Sequence, residues 1–245
     1  MIKRLLSFIF LLSTVHFGFA NKTDSIAGNI FTLIYQHDLQ AAEKLLAAEK
    51  PELDEFYYLL LNLDLHWWKY RIIDTKKDAQ VIDALIESLD SDKTQNNWQK
   101  IQQLLVKSYK LRYDKTRLSF ISMLSTRSDM KELVDQINLD ELPLKGEELK
   151  LFEAYVIMFQ YIEDINFIGG QDNSDERKKL LDRMEEFAAE DNIMLSTVAR
   201  FFLARMYQKV EKEPETGLSH YKILTTQFPT NKTFATYRKE CEEKI

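Results

Sequence analysis

Beyond Asn21, apolar residues recur three and four positions apart almost without a break, and residues that would interrupt such a pattern are scarce. The 245 residues include only 6 Gly and 4 Pro. That is about 4% of the chain, against roughly 12% in average proteins. A β-sandwich or barrel of this length needs a turn every 8–12 residues or so, usually marked by Gly, Pro, Asn or Asp. Ten Gly and Pro are too few. The chain is therefore expected to be all-α. With 45% hydrophobic and 29% charged residues, it has the composition of a packed globular protein.

The pattern divides into about twelve helices. Ile26, Ile30, Phe31 and Ile34 form the stripe of the first, which Thr23 or Asp24 can cap. Ala41 to Leu46 forms a second, and Pro51 suits the first turn of a third, running from about Glu52 to Ile73. That helix is apolar nearly all round: one stripe carries Phe56, Leu60, Leu63 and Trp67, the other Tyr57, Leu61, Leu65 and Trp68. Helices of this kind are buried on several sides. Ala79 to Leu89 and Asn97 to Arg112 follow, then two short helices, Thr116 to Leu124 and Met130 to Ile137, split by the capping-type run Thr126 to Asp129. After the irregular stretch Asn138 to Lys145 comes the apolar helix Leu149 to Phe167, closed by Gly169 and Gly170. Asp175 to Ala189, Met194 to Gln208, Gly217 to Gln227 and Thr230 to Glu242 complete the series. No Gly/Ser-rich or Pro-rich linker divides residues 21–245, so one continuous array is expected. Short connections favour antiparallel hairpins, and hairpins stacked in order make an α-solenoid.

The first twenty residues have a different character. Lys3 and Arg4 precede the apolar run Leu5 to Phe19, and Gly18-Phe19-Ala20 places small residues where a signal peptidase cuts. The run is about 15 residues, short of the roughly 20 that span a bilayer. Residues 1–20 are thus expected to be a cleaved signal peptide, leaving no stable membrane anchor and a periplasmic or secreted protein. Without Lys3 and Arg4, the 33 Lys and Arg become 31 against 39 Asp and Glu, a net charge of −8. That disfavours a nucleic-acid partner and broad adhesion to anionic lipid. Cys241 is the only cysteine, so neither an intrachain disulfide nor a cysteine metal cluster can form.

The sharpest local signature lies at about residues 194–229. Leu203-Ala204 and Tyr207, then Gly217, Tyr221, Leu224 and Pro229, resemble the tetratricopeptide repeat. Ala204 and Gly217 are small enough to let two helices approach, while Tyr207 and Tyr221 fill the space beside them. Arg200 stands where the repeat has its Trp-type residue, and the turn through Glu211 to Pro214 is short. The resemblance is good over about 40 residues, loose over the pair Phe31 to Leu46, and architectural elsewhere. It implies a curved scaffold of the kind Gram-negative bacteria export, with a concave face that binds a protein or peptide.

Two clusters are candidate sites. Lys100, Lys107, Lys110, Arg112, Lys115 and Arg117, with Asp114 the one acid among them, form a basic stretch that also holds Tyr109 and Tyr113. It is either a docking face for an acidic partner or a solvated helix face. Trp67 and Trp68, with Tyr57 nearby, are either a platform for a sugar ring or the core of a central helix. His37, His66 and His220 are too far apart in sequence for a local zinc motif, so no metal is expected. No nucleophile elbow, phosphate loop or HExxH motif is present, and no catalytic residue or cofactor is expected. The acid pairs Glu147-Glu148 and Glu185-Glu186 are expected on solvated helix surfaces, and Cys241 at a fraying end among anions that raise its pKa.

Overall fold

A computed structural model describes residues 22–73, 76–89, 96–165 and 174–245. Residues 1–20, the expected signal peptide, and the glycines Gly169 and Gly170 lie outside the described residues. Among those described there are eleven α-helices and no strand. They are α1 (Lys22–Tyr35), α2 (Leu39–Glu49), α3 (Glu55–Ile73), α4 (Lys76–Leu89), α5 (Asn97–Thr116), α6 (Phe120–Asp135), α7 (Gly146–Ile165), α8 (Ser174–Ala188), α9 (Ile193–Met206), α10 (Pro214–Gln227) and α11 (Lys232–Glu242).

The all-α expectation holds, and α3 is buried all round as its sequence requires, from Phe56 to Trp68. One expected break is absent. Thr126 to Asp129 does not break the chain: Phe120–Asp135 is a single helix, and Thr126 is buried in its middle. Ser, Thr and Asp favour caps only where the backbone donors are free, and here the helix on either side already uses them. Asn96 and Gln99 instead form a reciprocal capping box on α5.

Consecutive helices pair as hairpins, but the array does not run open-ended. The odd-numbered helices from α1 to α9 pack in turn, α1 on α3, α3 on α5, α5 on α7 and α7 on α9, and α9 packs back on α1, while α11 packs on α10. Even-numbered helices flank this ring of five. The closure is specific. A Cβ on Gly28 of α1 would come within 3.2 Å of the Ile193 side chain of α9. The Asn231 amide donates to the Tyr35 carbonyl at 2.8 Å, while its oxygen caps α11 by accepting from the Phe234 N–H at 3.0 Å. Thr230 donates to the Gln36 carbonyl at 2.5 Å, and Phe228 and Phe234 pack around Tyr35. A ring buries the apolar ends that an open stack leaves for capping repeats.

Because the ring helices run parallel, their N-termini gather at one end and their C-termini at the other. Tyr57 at the start of α3 bonds Asp24 at the start of α1, and Tyr70 near the end of α3 bonds Thr116 at the end of α5.

Candidate functional site

The basic stretch of α5 is not laid out on one open face: most of it is buried or paired. Tyr109 is fully buried, Tyr113 nearly so, and Lys107 is buried with its ammonium 3.2 Å from Asp129 of α6. Lys100 donates to the Gln136 carbonyl and Arg117 pairs with Asp83 of α4. Lys110 is half-buried and already engaged. Of the six cations, only Lys115 stands exposed without a partner among the described residues. The reason is position: α5 belongs to the ring and touches α3, α4, α6 and α7, so its cations are consumed as internal struts. Tyr113 donates to the Ala79 carbonyl, and burial together with Asp83 pushes its hydroxyl up to about 12.

Arg112 turns inward, onto a polar cluster at the centre of the ring. Its guanidinium lies 4.8 Å above the Tyr109 ring and 6.0 Å from the Tyr155 ring. At the heart of the cluster is Asp64, 1% exposed. Tyr109 donates to one of its oxygens at 2.6 Å and Tyr35 to the other at 3.5 Å, while the Tyr109 and Tyr155 hydroxyls sit 3.4 Å apart. Burial raises the Asp64 carboxyl to about 6, against the opposing pull of Tyr109, Arg112 and Tyr35. Side chains of four ring helices thus gather around one carboxylate, Tyr155 through Tyr109. Enclosed as it is, the cluster ties the ring together.

Tyr57, Trp67 and Trp68 do not share one exposed face. Tyr57 is buried with its hydroxyl 2.8 Å from Asp24, and lies ten residues, about 15 Å along the helix, from Trp67. Trp68 is 5% exposed and packs on Tyr35 and His37. Trp67 is half-buried beside Tyr70, with the Arg71 guanidinium 5.9 Å above it.

The repeat-like residues do pack as their sizes suggest. A Cβ on Gly217 would stand 2.9 Å from the Ala204 carbonyl oxygen and 3.3 Å from the Gln208 nitrogen, so only glycine allows this approach of α9 and α10. Leu203, Ala204, Tyr221 and Leu224 are fully buried. Tyr207 is half-buried and stacks on His220, which meets Glu185 at 3.1 Å, and Pro229 is exposed beyond the helix end. The connection differs from expectation: α9 runs on through a π-turn, Tyr207–Glu211, into left-handed Lys212, and Pro214 rather than Gly217 opens α10.

Two further expectations are overturned. Cys241 is fully buried, not frayed; its thiol donates to the Pro214 carbonyl at 3.1 Å, and burial is the main cause of its raised pKa. Glu148 is not a solvated carboxylate. It is half-buried at the N-terminal end of the ring, where burial, then Asp54 and Asp24, push it up to about 7. Glu147, beside it, pairs with Lys150.

The exposed feature that sequence analysis missed is at the opposite end. Leu118, Phe120, Ile121 and Leu124 are between 66% and 86% exposed. Leu118 holds a φ of +56°, a left-handed conformation that disfavours residues with a Cβ. Nearby, Ile72 and Ile73 end α3, half-exposed beside exposed Arg71. The missed signal is the density of large apolar residues directly after a helix end, a position normally given to Gly or Asn.

No family model, curated protein or solved structure matches this chain. Among the described residues no helix is long and apolar enough to cross a membrane, and no group of three or more His, Cys, Asp or Glu side chains is arranged to hold a metal ion. What fold and surface define together is a closed ring of helical hairpins with one acidic and one apolar end.

Proposed function

We propose that this is an exported, non-catalytic helical scaffold that binds a protein or peptide partner through the apolar end of its ring. The observation that carries this reading is the exposure of Leu118, Phe120, Ile121 and Leu124 on one turn. Contiguous apolar side chains this exposed mark interaction surfaces. Leu118 adds to the case, because a leucine in left-handed backbone costs about 1–2 kcal/mol relative to glycine and gains nothing in the core. The resemblance of residues 194–229 to the tetratricopeptide repeat favours the same class of function. Here the docking surface is a projecting edge rather than a concave face, and exposed Arg71 and Lys115 beside it suit a partner with an acidic rim.

A photoreactive amino acid placed at position 121, with a second chain carrying it at Lys222 on exposed α10 surface, tests the reading in envelope extract of the source cell. The expected result is a saturable protein adduct from position 121 alone. No adduct, or the same adducts from both positions, overturns it. Export is tested separately: N-terminal sequencing of the protein from its native cell is expected to begin at Asn21.

A further inference from the structure

Where α3 and α5 begin, on the flank that α4 covers, three helices face a cleft of about 180 Å³. From α3 come Glu55, Tyr58 and Asn62, spaced three and four residues apart on one stripe; from the start of α5 come Trp98 and Gln102; leucines of α3 and α4 form the apolar remainder. We infer that this cleft binds a single neutral hexopyranose ring, a site independent of the apolar docking edge.

The chemistry of the lining selects the ligand. Trp98 and Tyr58 are half-buried and offer aromatic surface to the C–H face of a sugar. Glu55, Asn62 and Gln102 are planar polar groups suited to pairs of hydroxyls. Gln102 is held in place, since its amide donates to the Leu89 carbonyl at 3.2 Å, and the capping box of Asn96 and Gln99 fixes the turn that carries Trp98. A purely apolar ligand would strip water from Glu55 and Asn62 and give nothing back. An anion would meet Glu55. A cation would have to share the Tyr58 ring with the Lys50 ammonium, which lies outside the cleft lining but 4.5 Å from the centre of that ring. A neutral polyhydroxylated ring avoids all three conflicts. The volume falls below the roughly 300–1,000 Å³ of sites for drug-sized molecules, so one ring fits rather than two. A ligand this small binds on the order of 1 mM.

Saturation-transfer NMR on the chain from Asn21 to Ile245, with methyl glucoside, N-acetylglucosamine and choline as probes, tests the site. At least one sugar is expected to give a saturable signal and choline none. Trp98→Ala and Asn62→Leu are each expected to weaken sugar binding about tenfold or more, with Trp67→Phe unchanged. Asn62→Leu removes a polar contact at a half-buried position, so it still decides the matter if Trp98→Ala fails to fold. Silence from both sugars, binding of choline in their place, or sugar binding that survives both cleft variants overturns the inference. Ile121→Asp is expected to leave the sugar signal intact, so failure at the docking edge and failure at the cleft are read apart.

Discussion

The two ends of the ring have the same helical scaffold and opposite chemistry. At the N-terminal end Asp24, Asp54, Glu147 and Glu148 converge; at the C-terminal end Arg71 and Lys115 stand among exposed isoleucines, leucines and a phenylalanine. Part of this follows from helix physics. Acids are favoured in first turns and cations in last turns by the helix dipole, and a parallel ring gathers all first turns together. Each acid placed well for its own helix therefore meets the others, and Glu148 carries the result as a raised pKa. The apolar residues at the other end have no such explanation from folding. They improve neither a helix nor the core, so the contrast separates what the ring needs from what it presents.

The comparison assumes one rigid body, and the largest prediction tests that. Asp64 of α3 bonds tyrosines of α1 and α5, and Tyr155 of α7 joins them through Tyr109, between the two ends. Asp64→Leu removes the acceptor of Tyr109 and Tyr35 and leaves Arg112 beside the tyrosines without its carboxylate. A loss of about 3–5 kcal/mol is expected, typical of breaking a buried pair from one side. Urea unfolding followed by circular dichroism and by tryptophan fluorescence should show one shared transition shifted to lower denaturant. Separate transitions would mean that the ends belong to different folding units.

The next prediction concerns pH and the acidic end. Glu148 titrates near 7 when folded against 4.5 in the unfolded chain, and Asp64 near 6 against 3.8. Both folded values are raised, so the folded state holds its protons longer than the unfolded one. Stability is then greatest below about pH 4 for these two groups, and is lost as pH rises to about 7. Glu148→Gln is expected to flatten the upper part of that fall. The gain at pH 8 is about 1–2 kcal/mol, once the half-exposure of Glu148 is allowed for. Melting temperatures of both proteins from pH 5 to 8 check this; parallel curves would mean that the acids at this end do not act on one another.

How much of this was legible beforehand differs between the ends. Helix class, the all-round burial of α3 and the close approach at Gly217 follow from local spacing and residue size, which sequence carries directly. Ring closure does not, because it depends on contacts such as Asn231 with Tyr35, 196 positions apart. Without closure, Lys107, Tyr109 and Tyr113 look like an open basic face, and Glu148 like an ordinary first-turn acid. The apolar edge was obscured for another reason. Periodicity cannot distinguish a stripe facing the core from one facing solvent, so the helical spacing of Phe120, Ile121 and Leu124 carries no sign of their exposure.

At the apolar end the predictions are smaller in stability and larger in function. Leu118→Gly relieves a left-handed leucine at φ +56° and is expected to stabilise the protein by about 0.5–1 kcal/mol while weakening partner capture. A residue whose replacement improves folding and impairs binding is held in place by the binding. Unchanged capture would remove Leu118 from the docking edge and leave its conformation unexplained.

The smallest expected change in stability is the most informative about the contrast. Ile121 is 86% exposed and sits on the first turn of α6, so Ile121→Asp removes almost no buried surface and adds an acid where the helix dipole favours one. Its unfolding free energy should stay within about 0.5 kcal/mol of the parent, as for surface substitutions generally. Partner capture should nevertheless be lost, since a charge would enter the middle of an apolar contact. Placing the same acid at the other end, as Ser25→Asp on the exposed first turn of α1, should leave capture intact. If both variants bind equally well, the difference between the two ends is one of folding alone, and the docking surface must be sought on the flanks of the ring.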